Sequence, residues 1–215
     1  MSEGENSRSM RLNALLVKAG LVPLDGFLAG QFEEYYSLFI RWNTRINLSA
    51  IRDEEGILSR HFVESVACAR ALPSGISTLL DFGSGGGLPG IPIALCRPEI
   101  AVTLAESQGK KAAFLQEAVR LLGISAKVHA QRAELLAARF DCVVLRAVDR
   151  MPKAVEAAGR LVACGGWLAV MTTERELARL QAAAGAEFSW SGVVLLPSGE
   201  ERLLALAERD VSSPV

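Results

Sequence analysis

Along this chain the apolar positions first recur every three or four residues and then, past residue 75, fall into short runs that alternate with amphipathic stretches. Met10, Leu12, Leu15, Leu16 and Val17 are spaced for a short helix over 8–19 that stops at Gly20. Phe27, Phe32, Tyr35, Leu38, Phe39 and Trp42 mark one face of a long amphipathic helix from Asp25 to Ile46. A third helix, Asp53 to Leu72, turns Ile57, Leu58, Phe62, Val66 and Ala69 inward, with Glu54 and Glu55 in a first turn where the helix dipole favours negative charge.

After Pro73-Ser74-Gly75 the spacing predicts strands at 77–82, 101–105, 126–131, 140–146, 166–171, 190–196 and 202–207. Helices fit at 88–96, 109–122, 151–163 and 174–184, with a shorter turn after Arg132. Such alternation predicts an α/β fold, a mainly parallel sheet covered by helices on both faces. Only Pro197-Ser198-Gly199 separates the last two strands, so a hairpin there inserts an antiparallel strand. Residues 1–75 then form a helical N-terminal extension and 76–215 the α/β domain.

With 215 residues, half of them apolar, the chain can bury one domain of ordinary size plus an extension. Its first ten residues are polar and no apolar run reaches membrane-spanning length, which points to a cytoplasmic protein without a membrane partner. The 23 basic and 24 acidic residues give a net charge of −1, and residues 1–75 hold eight basic against nine acidic, so any nucleic-acid contact must come from local clusters. Cys68, Cys96, Cys142 and Cys164 lie far apart, and His61 and His129 are the only histidines, a pattern that suits buried thiols rather than a metal site or a disulfide framework. His129 alternates with apolar neighbours on its strand and is expected to be structural.

The chemistry gathers where the first strand runs into glycines, Asp81-Phe82-Gly83-Ser84-Gly85-Gly86-Gly87-Leu88-Pro89-Gly90. Gly85-x-Gly87-x-x-Gly90 fits a dinucleotide fingerprint, whereas Asp81-x-Gly83-x-Gly85-x-Gly87 fits the loop of S-adenosylmethionine-dependent methyltransferases. A pyrophosphate needs backbone N–H donors in the first turn of the following helix, and Pro89 and Pro92 supply none. S-adenosyl-L-methionine carries no phosphate, and Asp81 is expected to complement its ammonium.

Ligands of such sheets sit beyond the carboxyl ends of the strands. There, Glu106 follows the second strand at the position of a ribose-binding carboxylate, which serves either cofactor. Ala133 and Glu134 follow the third, toward an adenine edge or as a simple helix cap. Arg146 ends an otherwise apolar strand, where an unpaired charge is costly, so a ligand or carboxylate partner is expected for it, with Arg150 and Lys153 adding a basic edge.

Arg41-Trp42-Asn43, Ile46-Asn47-Leu48-Ser49, Arg60-His61-Phe62-Val63-Glu64-Ser65, the Asp81-to-Pro92 loop, Ser107-Gln108-Gly109-Lys110-Lys111 and Arg146-Ala147 together resemble the bacterial RsmG (GidB) family over about residues 10–170. That resemblance implies a Rossmann-like, seven-stranded class I methyltransferase sheet. It also implies methyl transfer from S-adenosyl-L-methionine to N7 of a guanine in 16S ribosomal RNA, alone or in the small ribosomal subunit; a monomer is expected. By match to the family's motifs, Gly83, Leu88, Ala133, Glu134 and Arg146 are donor-binding positions, and Glu106 takes the acidic position after the second strand.

One departure is Met171-Thr172-Thr173, where the family commonly carries a Lys-Gly pair after the fifth strand. It leaves open a non-enzymatic ribosome-assembly or RNA-binding protein on the same fold, and the dinucleotide loop leaves open an NAD-dependent oxidoreductase. Guanine N7 is an unprotonated acceptor, so its methylation needs no general base, and none stands out here. Trp42, Arg41, Arg45, Arg52 and Arg60 are candidates for RNA contact, although Trp42 is expected in the core rather than as a stacking platform.

Overall fold

In the computed structural model, which describes residues 8–197, 199 and 201–211, each periodicity becomes an element close to its expected bounds. Helices α1 (Arg8–Lys18) and α2 (Gly26–Asn43) are followed by a third helical run made of α3 (Glu54–Gly56), a π-helical segment Ile57–Val63 and α4 (Glu64–Ala71). The remainder is β1 (Thr78–Phe82), α5 (Gly90–Cys96), β2 (Ala101–Ala105), α6 (Gly109–Leu122), β3 (Lys127–His129), a 3-10 turn Ala133–Leu135, β4 (Phe140–Arg146), α7 (Met151–Gly159), β5 (Val162–Thr173), α8 (Glu174–Ala184), β6 (Phe188–Leu195) and β7 (Arg202–Arg209).

The strands form one sheet in the order β3-β2-β1-β4-β5-β7-β6. β1 to β5 pair in parallel, and β7 runs antiparallel to both β5 and β6. Ser198 of the connecting turn lies outside the described residues. The strand order reverses between β1 and β4, which opens a crevice at their carboxyl ends.

Side-chain alternation splits the core in two. Leu79 and Val144 join Leu12, Phe32, Tyr35, Phe39, Phe62, Leu104 and Phe114 on one face, so the N-terminal helices share a core with α5 and α6. Leu80, Val143 and Leu145 join Val155, Leu180 and Phe188 beneath α7 and α8 on the other. Tyr35 stacks flat on Phe62, with ring centroids 5.2 Å apart.

Several expectations need correction. Phe27, read as part of the inward face of α2, is 79% exposed at the start of that helix. Met10 and Val17 on α1 are exposed as well. The third helix is not a uniform α-helix, and α2 stops at Asn43, whose side-chain oxygen accepts the Leu48 and Ser49 N–H groups at 3.0 Å each. The helix after the glycine loop begins at Gly90 rather than 88, since residues 83–89 are spent on the turn. Strand β5 starts earlier than expected and shortens α7, and of the four thiols Cys164 is exposed.

Candidate active site

The glycine loop is shaped by what lies behind it. Gly83 holds φ 74°, which favours glycine, and a Cβ there would stand a tight 3.0 Å from a Val148 methyl. Asp81 is buried; its carboxylate accepts the Gly90 N–H at 3.1 Å, and the Ser84 hydroxyl donates to its main-chain oxygen at 2.9 Å. A Cβ on Gly90 would collide with this carboxylate. Burial pushes the Asp81 carboxyl up to about 7. The expectation that Asp81 faces a ligand's ammonium is therefore corrected: it braces loop against helix and is not part of the cavity wall.

The first turn of α5 has no amide to spare. Gly90 N–H is held by Asp81, Ile91 N–H by the Gly87 carbonyl at 2.8 Å and Ile93 N–H by the Pro89 carbonyl at 2.9 Å, while Pro92 has no donor. A pyrophosphate would find none of the donors that a dinucleotide site presents there.

In front of the loop lies a cavity of about 520 Å³, within the roughly 300–1,000 Å³ of small-molecule sites. Gly83, Leu88, Glu106, Ala133, Glu134 and Arg146 all line it, so the structure brings these six positions together. Glu106 is almost fully buried, and its two oxygens accept the Gly85 N–H at 3.0 Å and the Gln108 N–H at 2.7 Å. Each oxygen keeps a further lone pair for a ligand hydroxyl. Ala133 is buried and Glu134 exposed on the 3-10 turn. Ala147 and Arg150 hold φ 50° and 55°, a conformation that costs non-glycine residues energy, in the loop that forms the wall after β4.

Arg146 finds in Glu64 the carboxylate partner that its position called for. Arg146 is among the residues that line the cavity, and its largely buried guanidinium pairs with Glu64 at 2.9 Å, donates to the Arg60 carbonyl and lies 3.4 Å from the Ser65 hydroxyl. Burial lowers its pKa to about 10. His61, on the π-helical segment, also reaches the wall; burial and then Arg146 push its pKa down to about 3, so the imidazole is neutral. Its Nε2 lies 2.7 Å from the Ser49 hydroxyl.

His61 and Leu48 also line the cavity and Glu64 pairs with Arg146, positions to which the sequence assigns no role. The signal was present in the Asn47-Leu48-Ser49 and Arg60-to-Ser65 motifs, but nothing in a linear sequence shows that the extension closes one side of the cavity. Trp42 is structural: its indole donates to Glu117 at 2.9 Å and packs edge-on against Phe114. Arg41 pairs with the same Glu117, and Arg52 holds the Asn43 carbonyl and the Asn47 side chain. Lys111, Arg132, Arg150 and Lys153 instead stand along the cavity. Among the described residues no group of three or more His, Cys, Asp or Glu could hold a metal, and no helix is long and apolar enough to cross a membrane.

The sheet order and the crevice at its switch point define a class I methyltransferase fold. Solved structures with it include a ribosomal protein L11 methylase from Lactobacillus delbrueckii subsp. bulgaricus, 12% identical with a TM-score of 0.58 over 74% of this chain and 80% of that one. Another is the Thermus thermophilus 16S rRNA N2 G1207 methyltransferase solved with AdoMet and guanosine, 20% identical with a TM-score of 0.54 over 71% of this chain and 40% of that one. Residues 29–198 match the family described as rRNA small subunit methyltransferase G, and the chain belongs to that family. A ribosomal RNA small subunit methyltransferase G of Xanthomonas euvesicatoria pv. vesicatoria is 42% identical over 151 residues, 69% of this chain and 70% of its own length. The protein is thus an rRNA methyltransferase by family.

Proposed function

We propose that the protein transfers the methyl group of S-adenosyl-L-methionine to N7 of a guanine in 16S ribosomal RNA, acting as a cytoplasmic monomer on the free RNA or the small subunit. The observation that carries the donor assignment is the pairing of a phosphate-blind helix start with a cavity floored by the Glu106 carboxylate. Glu106 would accept the ribose hydroxyls with the lone pairs that Gly85 and Gln108 leave over. Gly83 and Leu88 would flank the methionine end, Ala133 and Glu134 the adenine edge, and Arg146 the side of the cavity facing the extension. In this reading residues 76–215 carry donor binding, while 1–75 close the site and meet the RNA.

When bound, the donor supplies a methyl group already activated on a sulfonium. The protein's work is then to position the guanine in line with it, which can contribute up to about 7–11 kcal/mol. N7 carries no proton, so no residue has to remove one. That fits a cavity whose histidine is neutral and held by Ser49. Lys111, Arg132, Arg150 and Lys153 offer phosphate contacts despite the net charge of −1. The Thermus relative in fold, solved with AdoMet and guanosine, supports a guanine beside the same donor.

Calorimetric titration with S-adenosylhomocysteine and with NAD tests the donor assignment. Binding of the first and not the second is expected; the reverse would replace the reading with an oxidoreductase.

A further inference from the structure

One buried carboxylate joins three parts of the fold at the guanidinium of Arg146, a residue of the cavity lining. Glu64 opens α4 with its side chain 0% exposed; it lies 2.9 Å from Arg146 Nη2 and 2.8 Å from Arg202 Nε. Arg146 ends β4 and Arg202 begins β7, and the register sets them on either side of the end of β5, through Arg146 opposite Met171 and Arg202 opposite Thr173. The Arg60 carbonyl and the Ser65 hydroxyl, from the same helical run as Glu64, hold other faces of the Arg146 guanidinium. The π-helical segment brings these groups together on one side, a local distortion that recurs at functional sites.

Stability gives a poor reason for such an arrangement. Desolvating a carboxylate and two guanidiniums offsets most of their attraction, and apolar packing of similar volume often does as well or better. The arrangement does deny a long, flexible arginine its other rotamers at a residue that lines the cavity. We propose that Glu64, supported by Arg202, is a positioning residue that fixes the Arg146 guanidinium in the methyl-transfer site. This rests on the reading of the cavity as the donor site.

A double-mutant cycle on the rate of methyl transfer to small-subunit RNA, at saturating donor and RNA, separates positioning from general support. Glu64→Gln keeps the shape and one acceptor but removes the charge. It should lower kcat at least about tenfold with the RNA KM within about threefold, while in an Arg146→Met background it should change kcat less than about twofold. Arg202→Met should lower kcat in the same way, and Arg202→Lys should restore most of it. An equal loss from Glu64→Gln in both backgrounds, or no loss in a folded variant, overturns the proposal. If Glu64→Gln does not fold, the Arg202→Met and Arg202→Lys pair in the two backgrounds decides by the same criterion. Should Arg146→Met alone leave both kcat and donor affinity unchanged, the assignment of the cavity wall itself fails. A loss confined to the wild-type background upholds both readings.

Discussion

The buried phenol of Tyr35 donates its hydrogen to the main-chain carbonyl of Gly86, so the middle of the glycine loop is held by a helix of the N-terminal extension rather than by the sheet alone. Tyr35→Phe keeps the stack on Phe62 and removes only the hydroxyl. Leaving that carbonyl unpaired should cost about 1–3 kcal/mol, read as a lower denaturation midpoint at unchanged m-value. S-adenosylhomocysteine affinity should fall severalfold as the loop loosens. An unchanged midpoint and affinity would show that the loop holds itself.

Glu106 is placed to do two jobs, joining Gly85 to Gln108 and facing the ligand. Glu106→Ala should weaken S-adenosylhomocysteine binding by about ten- to a hundredfold, the worth of a charge-assisted hydrogen bond. The variant should also lose discrimination against an analogue lacking the ribose hydroxyls. Full discrimination in Glu106→Ala would leave the carboxylate with the loop-joining role alone.

The switch from 3.6-residue spacing to alternating runs reveals the order of strands and helices though not all their ends, because most of an apolar stripe is buried whatever the tertiary detail. The strand-end residues Gly83, Glu106, Glu134 and Arg146 were legible for the same reason, since a parallel sheet delivers the ends of its strands to one crevice. Asp81 was misread because the motif shows a carboxylate beside glycines but not that Gly90, lacking a Cβ, lets α5 sit directly on it. The Arg146–Glu64 pair was equally invisible: 82 residues separate the partners, and only packing of the extension joins them.

Asp81 also sets a pH dependence. Its folded-state pKa is about 7 against an ordinary value of 3.8. Between those values the unfolded chain has released a proton that the native protein keeps. Stability therefore falls as pH rises through the window, by up to about 1.4 kcal/mol per unit, and levels off above it. Asp81→Asn retains an acceptor for the Gly90 N–H and removes the titration. Chemical denaturation of both proteins from about pH 5 to about pH 7.5 should show the variant gaining on the parent as pH rises. Taking the difference between them cancels His61, whose depressed pKa acts in the opposite sense. Parallel curves would contradict the burial account.

Lys111, Arg132, Arg150 and Lys153 line the cavity, and the proposed function expects them to contact RNA phosphates. Replacing any one by alanine should weaken RNA binding and reduce the slope of log K against log salt by somewhat under one unit, with donor affinity preserved for Lys111 and Lys153. Unchanged slopes in all four would move the RNA to another surface.

The central claim is tested most directly by incubating the purified protein with labelled S-adenosyl-L-methionine and small-subunit RNA or particles lacking the modification, then digesting to nucleosides. The account predicts label in N7-methylguanosine alone, formed in a chemical step whose rate stays flat across the pH range where a general base would titrate. Label in any other nucleoside, or none despite demonstrated donor binding, would contradict it.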